Sequence, residues 1–162
     1  MKKSFYATPL VHGAFIAALY IILTYLANAF GLANNAIQIR FSEALCILPL
    51  FTPAAIWGLF AGCLISNMLT GCVIIDVIFG ALATLIGAIG TALLKKKPML
   101  SVLPPIIANV LIIPPILSYV YKFEGSIWYF ALTVGIGEII SCGVLGLLLY
   151  KVLAKYKTII FK

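Results

Sequence analysis

Between Lys3 and Arg40 the chain carries no Asp, Glu, Lys or Arg, and from about Pro9 to Leu32 it is almost wholly apolar. A run of that kind has few folded states open to it. At ~1.5 Å per helical residue, Pro9 to about Gly31 is long enough to cross a hydrocarbon core of ~30 Å, and in lipid a spanning backbone satisfies its own N–H and C=O groups by forming a helix. The whole chain follows suit: of 162 residues, 64% are hydrophobic and 9% charged, against roughly 45 to 50% and 25% in soluble domains. The composition predicts an all-α, multi-pass membrane protein forming one transmembrane domain over residues 1–162. The first segment exceeds a signal-peptide apolar region of about 7 to 15 residues, so it is expected to remain as a span.

Six spans are expected, at about 9–31, 38–51, 53–68, 73–94, 99–121 and 127–153. Pro49 and Thr52-Pro53 close the second; Thr52 is expected to cap the third and Pro53 to start it. Thr70-Gly71 makes a turn, Lys95-Lys96-Lys97-Pro98 breaks the chain after the fourth, and two proline pairs, Pro104-Pro105 and Pro114-Pro115, interrupt the fifth. The second, with 14 residues, reaches only ~21 Å, so a full span and a re-entrant segment remain open. Under this order nine Lys residues fall on one side, and Arg40 and Lys122 on the other. The positive-inside rule then makes both termini cytoplasmic. It also explains the net charge of +7 as Lys flanking apolar segments, without nucleic acid as a partner. Tyr119, Tyr121, Trp128 and Tyr129 fall at the outer boundary, and Tyr6 and Tyr150 at the inner, as aromatic belts.

Against this background the stretch Ile37 to Gly80 stands out, because Arg40, Glu43, Asn67 and Asp76 interrupt its apolar runs. An ionisable group at bilayer depth costs roughly 2.5 to 3.5 kcal/mol even on lenient scales. Together with Asn109 on the fifth span and Glu138, about 16 Å into the sixth, these residues descend from the outer side to mid-membrane and form the candidate substrate site. Each also has a structural reading. Arg40 and Glu43 at i, i+3 suit a mutual ion pair, Asp76 suits a helix N-terminus, Asn67 suits a helix end, and Asn109 suits a bond to a neighbouring helix. Glu138 has no basic neighbour within a turn, and a ligand is its expected partner. Two stripes of helical spacing, Asp76, Gly80, Ala83, Gly87 and Ala131, Gly135, Glu138, Cys142, Gly146, put acids among small residues on faces expected to line a cavity.

Other chemistry is missing. The chain has no Walker A loop, no H-E-x-x-H, no G-x-S-x-G and one His, His12, which is expected to pack at the interface. Cys46, Cys63, Cys72 and Cys142 lack C-x-x-C spacing and are expected to serve as small buried hydrophobes. No enzyme, no metal and no cofactor is expected.

The blocks Gln38-Ile39-Arg40-Phe41-Ser42-Glu43-Ala44-Leu45, Leu48-Pro49-Leu50-Phe51-Thr52-Pro53, Gly62-Cys63-Leu64-Ile65-x-Asn67 and Asp76-Val77-Ile78-Phe79-Gly80 resemble the QueT family, and the likeness extends over nearly the whole chain. Its members are substrate-binding S components of energy-coupling factor (ECF) transporters, assigned to queuosine precursors. The resemblance implies a six-helix protein of the bacterial cell membrane that takes its substrate from outside and depends on a transmembrane coupling protein and two ATPase subunits. It also implies a coupling surface on span one, where an Ala-x-x-x-Ala pattern is matched by Ala14 and Ala18 with Gly13 and Ala17 alongside; packing inside the protein is the other reading of those small residues. The implied ligand is a 7-deazaguanine bearing an aminomethyl or nitrile group. Its N–H donors suit a carboxylate such as Glu138, an aminomethyl cation suits a second such as Asp76, and Asn109 can read the ring carbonyl. The competing class is a stand-alone, proton-coupled secondary transporter of another vitamin or a nucleobase-like solute, with Glu138 carrying the proton.

Overall fold

Residues 9–32 and 38–160 are described by the computed structural model, the side chains of 157–160 excepted. Lys2, Lys3, Tyr6, Lys162, most of the first loop and the Lys157 side chain lie outside the described residues. What is described is helical throughout: α1 (Pro9–Ala29), a 3-10 helix (Phe41–Leu50), α2 (Ala54–Leu69), α3 (Ile74–Leu93), α4 (Leu103–Pro115) and α5 (Ile127–Glu138), then α6 (Gly146–Ile160). α4 runs on into a π-helical segment, Ile116–Val120, and a second, Ile139–Leu145, joins α5 to α6 without a break.

The breaks have local causes. Gly31, at φ 70°, and Gly71, at φ 78°, take the left-handed conformation just past α1 and α2. At each, paired bonds back into the last turn satisfy carbonyls the helix leaves open: Leu32 N–H to Ala27 O and Gly31 N–H to Asn28 O, then Cys72 N–H to Asn67 O and Gly71 N–H to Met68 O. Ser126 caps α5 by accepting from Tyr129 N–H at 3.2 Å. The expected Thr52 cap is corrected: no side chain caps α2, and the Thr52 carbonyl, not its hydroxyl, meets the Ala55 N–H. Pro104 and Pro105 do not interrupt a span either. They occupy the first turn of α4, where a missing N–H costs nothing. Pro114 and Pro115 do mark a change, from α to π winding, because each removes an N–H from the ladder.

Four stretches are long and apolar enough to cross a membrane: Pro9–Ala29, Ile74–Leu93, Leu103–Val120 and Ile127–Tyr156. The expected second and third spans correspond to shorter apolar helices, Phe41–Leu50 and Ala54–Leu69. α2 has 16 residues, and the 3-10 helix is ten residues with Pro49 inside it, extending about 20 Å at ~2.0 Å per residue. That element is wrapped by protein. Ser42, Glu43 and every residue from Leu45 to Leu50 are buried, against α1, α2, α3, α6 and the second π segment. Shielding of this kind lets a backbone other than an α-helix persist at membrane depth. Around it Tyr20, Leu45, Cys46, Leu59, Cys63 and Cys142 form the main core, while Trp57, Leu111, Trp128 and Leu132 are exposed on the apolar exterior.

Small residues bring neighbouring helices close. A Cβ added at Gly58 would stand 2.6 Å from Gly13 O, and one at Gly62 would stand 2.7 Å from the Tyr20 Cβ, so α1 and α2 meet almost backbone to backbone. On α3, Gly87 lies against Pro105 and Gly90 against Pro104. Of the stripe Asp76, Gly80, Ala83, Gly87, the lower part is therefore a packing face, not a cavity lining.

Candidate functional site

The helices alternate in direction, so the C-terminal ends of α1 and α2, the start of α3 and the α4–α5 loop gather at one end. Lys95, Lys96 and Lys97, all exposed, mark the other. At the lysine-poor end lies a cavity of about 150 Å³ whose walls include Thr24, Gln38, Arg40, Asn67, Cys72, Asp76, Tyr121 and Phe123. Below it a recess of about 20 Å³ is bounded by Gln38, Arg40, Asn109, Ile113, Val134 and Glu138. Gln38, Arg40 and Ile113 border both spaces, so the two form one cleft descending from the mouth to mid-bundle.

Asp76 sits in the first turn of α3, but it does not cap that helix. Its Oδ2 accepts from the Tyr121 hydroxyl at 2.8 Å, and the same hydroxyl accepts from Val73 N–H at 3.2 Å. The α2–α3 turn is thereby clasped to the α4–α5 loop. Tyr121 and Phe123 stack, with ring centroids 5.5 Å apart and planes 18° from parallel; between them Lys122 adopts φ 54°. Burial, and after it the adjacent Asp76 carboxylate, pushes the Tyr121 phenol above its ordinary range, so it remains a donor. Gly80 makes room for the cluster, since a Cβ there would stand 3.0 Å from Asn67 Nδ2. Asn67 is buried, and its Nδ2 has a weak sulfur acceptor in Cys63, at 3.6 Å.

Deeper, the extended segment Gln38–Arg40 is pinned against α5 and the π segment that follows it. The Arg40 N–H donates to Ser141 Oγ at 3.1 Å, and Gly137 packs so closely under Gln38 that a Cβ there would lie 2.1 Å from the Gln38 carbonyl oxygen. Glu138 is the last residue of α5 before the winding changes. Its Oε2 accepts from Cys142 Sγ at 3.3 Å. Asn109 is buried on α4 beside the Glu138 carboxylate, and among the described residues its Nδ2 makes no hydrogen bond of ordinary geometry.

Five of the six expected site residues thus border the cleft, and Glu43 does not. Its carboxylate accepts from the Tyr20 hydroxyl and from Cys46 Sγ at 3.1 Å, in the core on the far side of the 3-10 helix. Among the described residues it makes no ion pair with Arg40. A Glu43 carboxylate oxygen and the Sγ atoms of Cys46 and Cys142 lie within 4.8 Å of one another, and both cysteines are hydrogen-bonding groups as well as filler: Cys46 donates to that carboxylate and Cys142 to the Glu43 carbonyl, at 3.3 Å. Gln38, Thr24, Cys72 and Phe123 are not among the expected site residues, and Tyr121, expected in an aromatic belt, lines the cavity instead. Only Gln38, two residues before Arg40 in an extended stretch, carries a signal of its own, because alternate residues of such a stretch share a side.

The cleft holds two acidic side chains, Asp76 and Glu138, and one basic, Arg40. It suits a small polar ligand with a donor-rich periphery.

A second concavity, of about 440 Å³, runs along α1 and α2 between Leu10, Gly13, Ala14, Ala17, Trp57, Gly58 and Ala61. Here the four small residues of α1 divide. Gly13 and Ala17 are partly covered by α2, whereas Ala14 and Ala18 are exposed.

No curated protein and no solved structure matches the chain. The family model described as QueT transporter matches residues 10–155, which takes in every residue bordering the cleft. The chain belongs to the QueT transporter family.

Proposed function

We propose that the chain is the substrate-binding subunit of an ECF-type importer in the bacterial cell membrane. It captures a 7-deazaguanine queuosine precursor from outside and passes it inward only in company with a coupling protein and two ATPases. The observation that carries this reading is the cleft, open at the lysine-poor end and closed below Glu138 by the core around Cys142 and Cys46. By the positive-inside rule that mouth is external and both termini are cytoplasmic. An external pocket over a sealed floor suits a subunit that holds its cargo until a partner drives its release. The groove of α1 and α2, with Ala14 and Ala18 beside it, supports a docking face for the coupling protein, because small residues admit close helix approach.

Within the cleft, Glu138 receives the ligand's N–H groups, Asp76 faces an aminomethyl cation, and Arg40 and Asn67 complete the polar wall. Glu43 has a structural role in this account. The test is uptake by proteoliposomes. Those holding the chain with its ATPase module should accumulate 7-aminomethyl-7-deazaguanine on addition of ATP, and those holding the chain alone should not. Accumulation by the chain alone, driven by a proton gradient, would favour the proton-coupled carrier.

A further inference from the structure

Beneath the cleft, two thiols and a carboxylate converge in a cluster that the binding site does not use. Glu43 and Cys46 stand three apart on the 3-10 helix, where such positions eclipse, and Cys46 Sγ donates to Glu43 Oε2 at 3.1 Å. Cys142 comes from the second π segment, 99 residues from Glu43 in sequence, and donates to the Glu43 carbonyl. All three side chains are buried, and their ligand atoms lie within 4.8 Å of one another. The other carboxylate oxygen, Oε1, is held by the Tyr20 hydroxyl, the kind of outer hydrogen bond that orients a metal-binding group.

Two thiols and a carboxylate are a donor set for a borderline-soft cation. Around a tetrahedral zinc, with Zn–S about 2.3 Å and Zn–O about 2.1 Å, ligand atoms stand roughly 3.6 to 3.8 Å apart. The Cys46–Glu43 contact, at 3.1 Å, and the Cys142–Glu138 contact, at 3.3 Å, come close to that spacing. Glu138 is thus at hand as a fourth ligand, and because it borders the recess it gives an ion in the cleft a route to Cys142. Charge selects the valence. A divalent ion displaces two thiol protons, which leave through the recess, and the net charge of the cluster is unchanged. A monovalent ion displacing the same two protons would leave an additional negative charge buried, which is costly at membrane depth.

We propose that Glu43, Cys46 and Cys142 bind one divalent cation of the zinc class, tying the 3-10 helix to the second π segment under the cleft. Spacing rules miss such a site because its thiols come from two distant elements. The proposal does not depend on the substrate class proposed above.

The experiment titrates the purified, chelator-treated chain with Cd²⁺, whose thiolate complexes absorb in the ultraviolet. Saturation at one ion per chain is expected, with thiolate-to-cadmium absorption that Zn²⁺ reverses and an unfolding temperature raised by the ion, since a ligand of the folded state stabilises it. Cys46→Ser and Cys142→Ala should each lose the absorption and the temperature rise, whereas a variant carrying both Cys63→Ala and Cys72→Ala should keep them. The cadmium NMR resonance of the wild-type chain, which needs no variant to fold, should report two sulfur ligands. Absence of thiolate absorption in the wild type, its persistence in Cys46→Ser and Cys142→Ala, or a resonance without two sulfur ligands would overturn the site.

Discussion

Two buried acids of one chain, Glu43 and Glu138, illustrate how little residue type alone decides. Both stand at membrane depth among Leu, Ile and Cys, yet Glu43 is held by Tyr20 and Cys46, whereas Glu138 borders an open recess. They should respond differently to loss of a partner. Tyr20→Phe leaves one carboxylate oxygen of Glu43 without its donor, and an unpaired buried polar group costs about 1 to 3 kcal/mol. The expected result is a lower unfolding temperature in detergent with ligand affinity changed less than about twofold, because Tyr20 borders neither part of the cleft. An affinity loss as large as the stability loss would place Glu43 in the binding machinery. The sequence marks Glu138 for a ligand because no basic residue within a helical turn answers it. It misplaces Glu43 because one partner, Tyr20, lies 23 residues away on another helix, and the partner at i+3 is the thiol of Cys46, whereas Arg40 has the charge to draw attention.

For the elements, the alternation of apolar runs with Gly, Pro and Lys breaks makes an all-helical membrane protein legible, and the glycine turns after α1 and α2 follow from local chemistry alone. The winding is not legible in the same way. The 3-10 geometry of Phe41–Leu50 and the π segments after Pro115 and Glu138 depend on which neighbours wrap each stretch, and hydrophobic periodicity carries no record of that. Nor does it show that Gln38–Arg40 forms a wall common to both parts of the cleft. The tightest contact on that wall gives a direct test. In Gly137→Ala the new Cβ meets backbone, the Gln38 carbonyl at 2.1 Å, so a side-chain rotation cannot relieve it. Overpacking of this kind costs typically 1 to 3 kcal/mol, and the segment carrying Gln38 and Arg40 has to shift. Ligand affinity should fall by about tenfold or more, with helical content in circular dichroism unchanged. Gly135→Ala, whose Cβ would stand 3.4 Å from a Val110 methyl, should be mild by comparison. Equal effects of the two substitutions would detach the segment from binding.

At the scale of the molecule, Lys95, Lys96 and Lys97 and the cleft lie at opposite ends, which ties orientation to function. A cysteine introduced at Lys96 in a chain with its native cysteines replaced should react with an impermeant maleimide only from the cytoplasmic side; labelling from outside would invert the protein and make the cleft face inward. The native thiols supply a complementary readout. Cys46, Cys63 and Cys142 are buried, whereas Cys72 is partly accessible and borders the cavity. Cys72 should therefore be the site labelled first in the wild-type protein, and saturating ligand should slow that labelling severalfold. Unslowed labelling would put the ligand elsewhere.

The central claim, that this chain alone binds a 7-deazaguanine in the cleft ending at Glu138, is tested most directly by calorimetric titration of the detergent-purified protein with 7-aminomethyl-7-deazaguanine, wild type beside Glu138→Gln. The substitution keeps shape but replaces an acceptor oxygen with a donor opposed to the ligand's own, which at about 1 to 3 kcal/mol should lower affinity about tenfold or more while the unfolding temperature barely moves. Saturable one-to-one binding by the wild type with that loss in the variant is the predicted result. Equal affinity in the two proteins, or no binding in either, would contradict it.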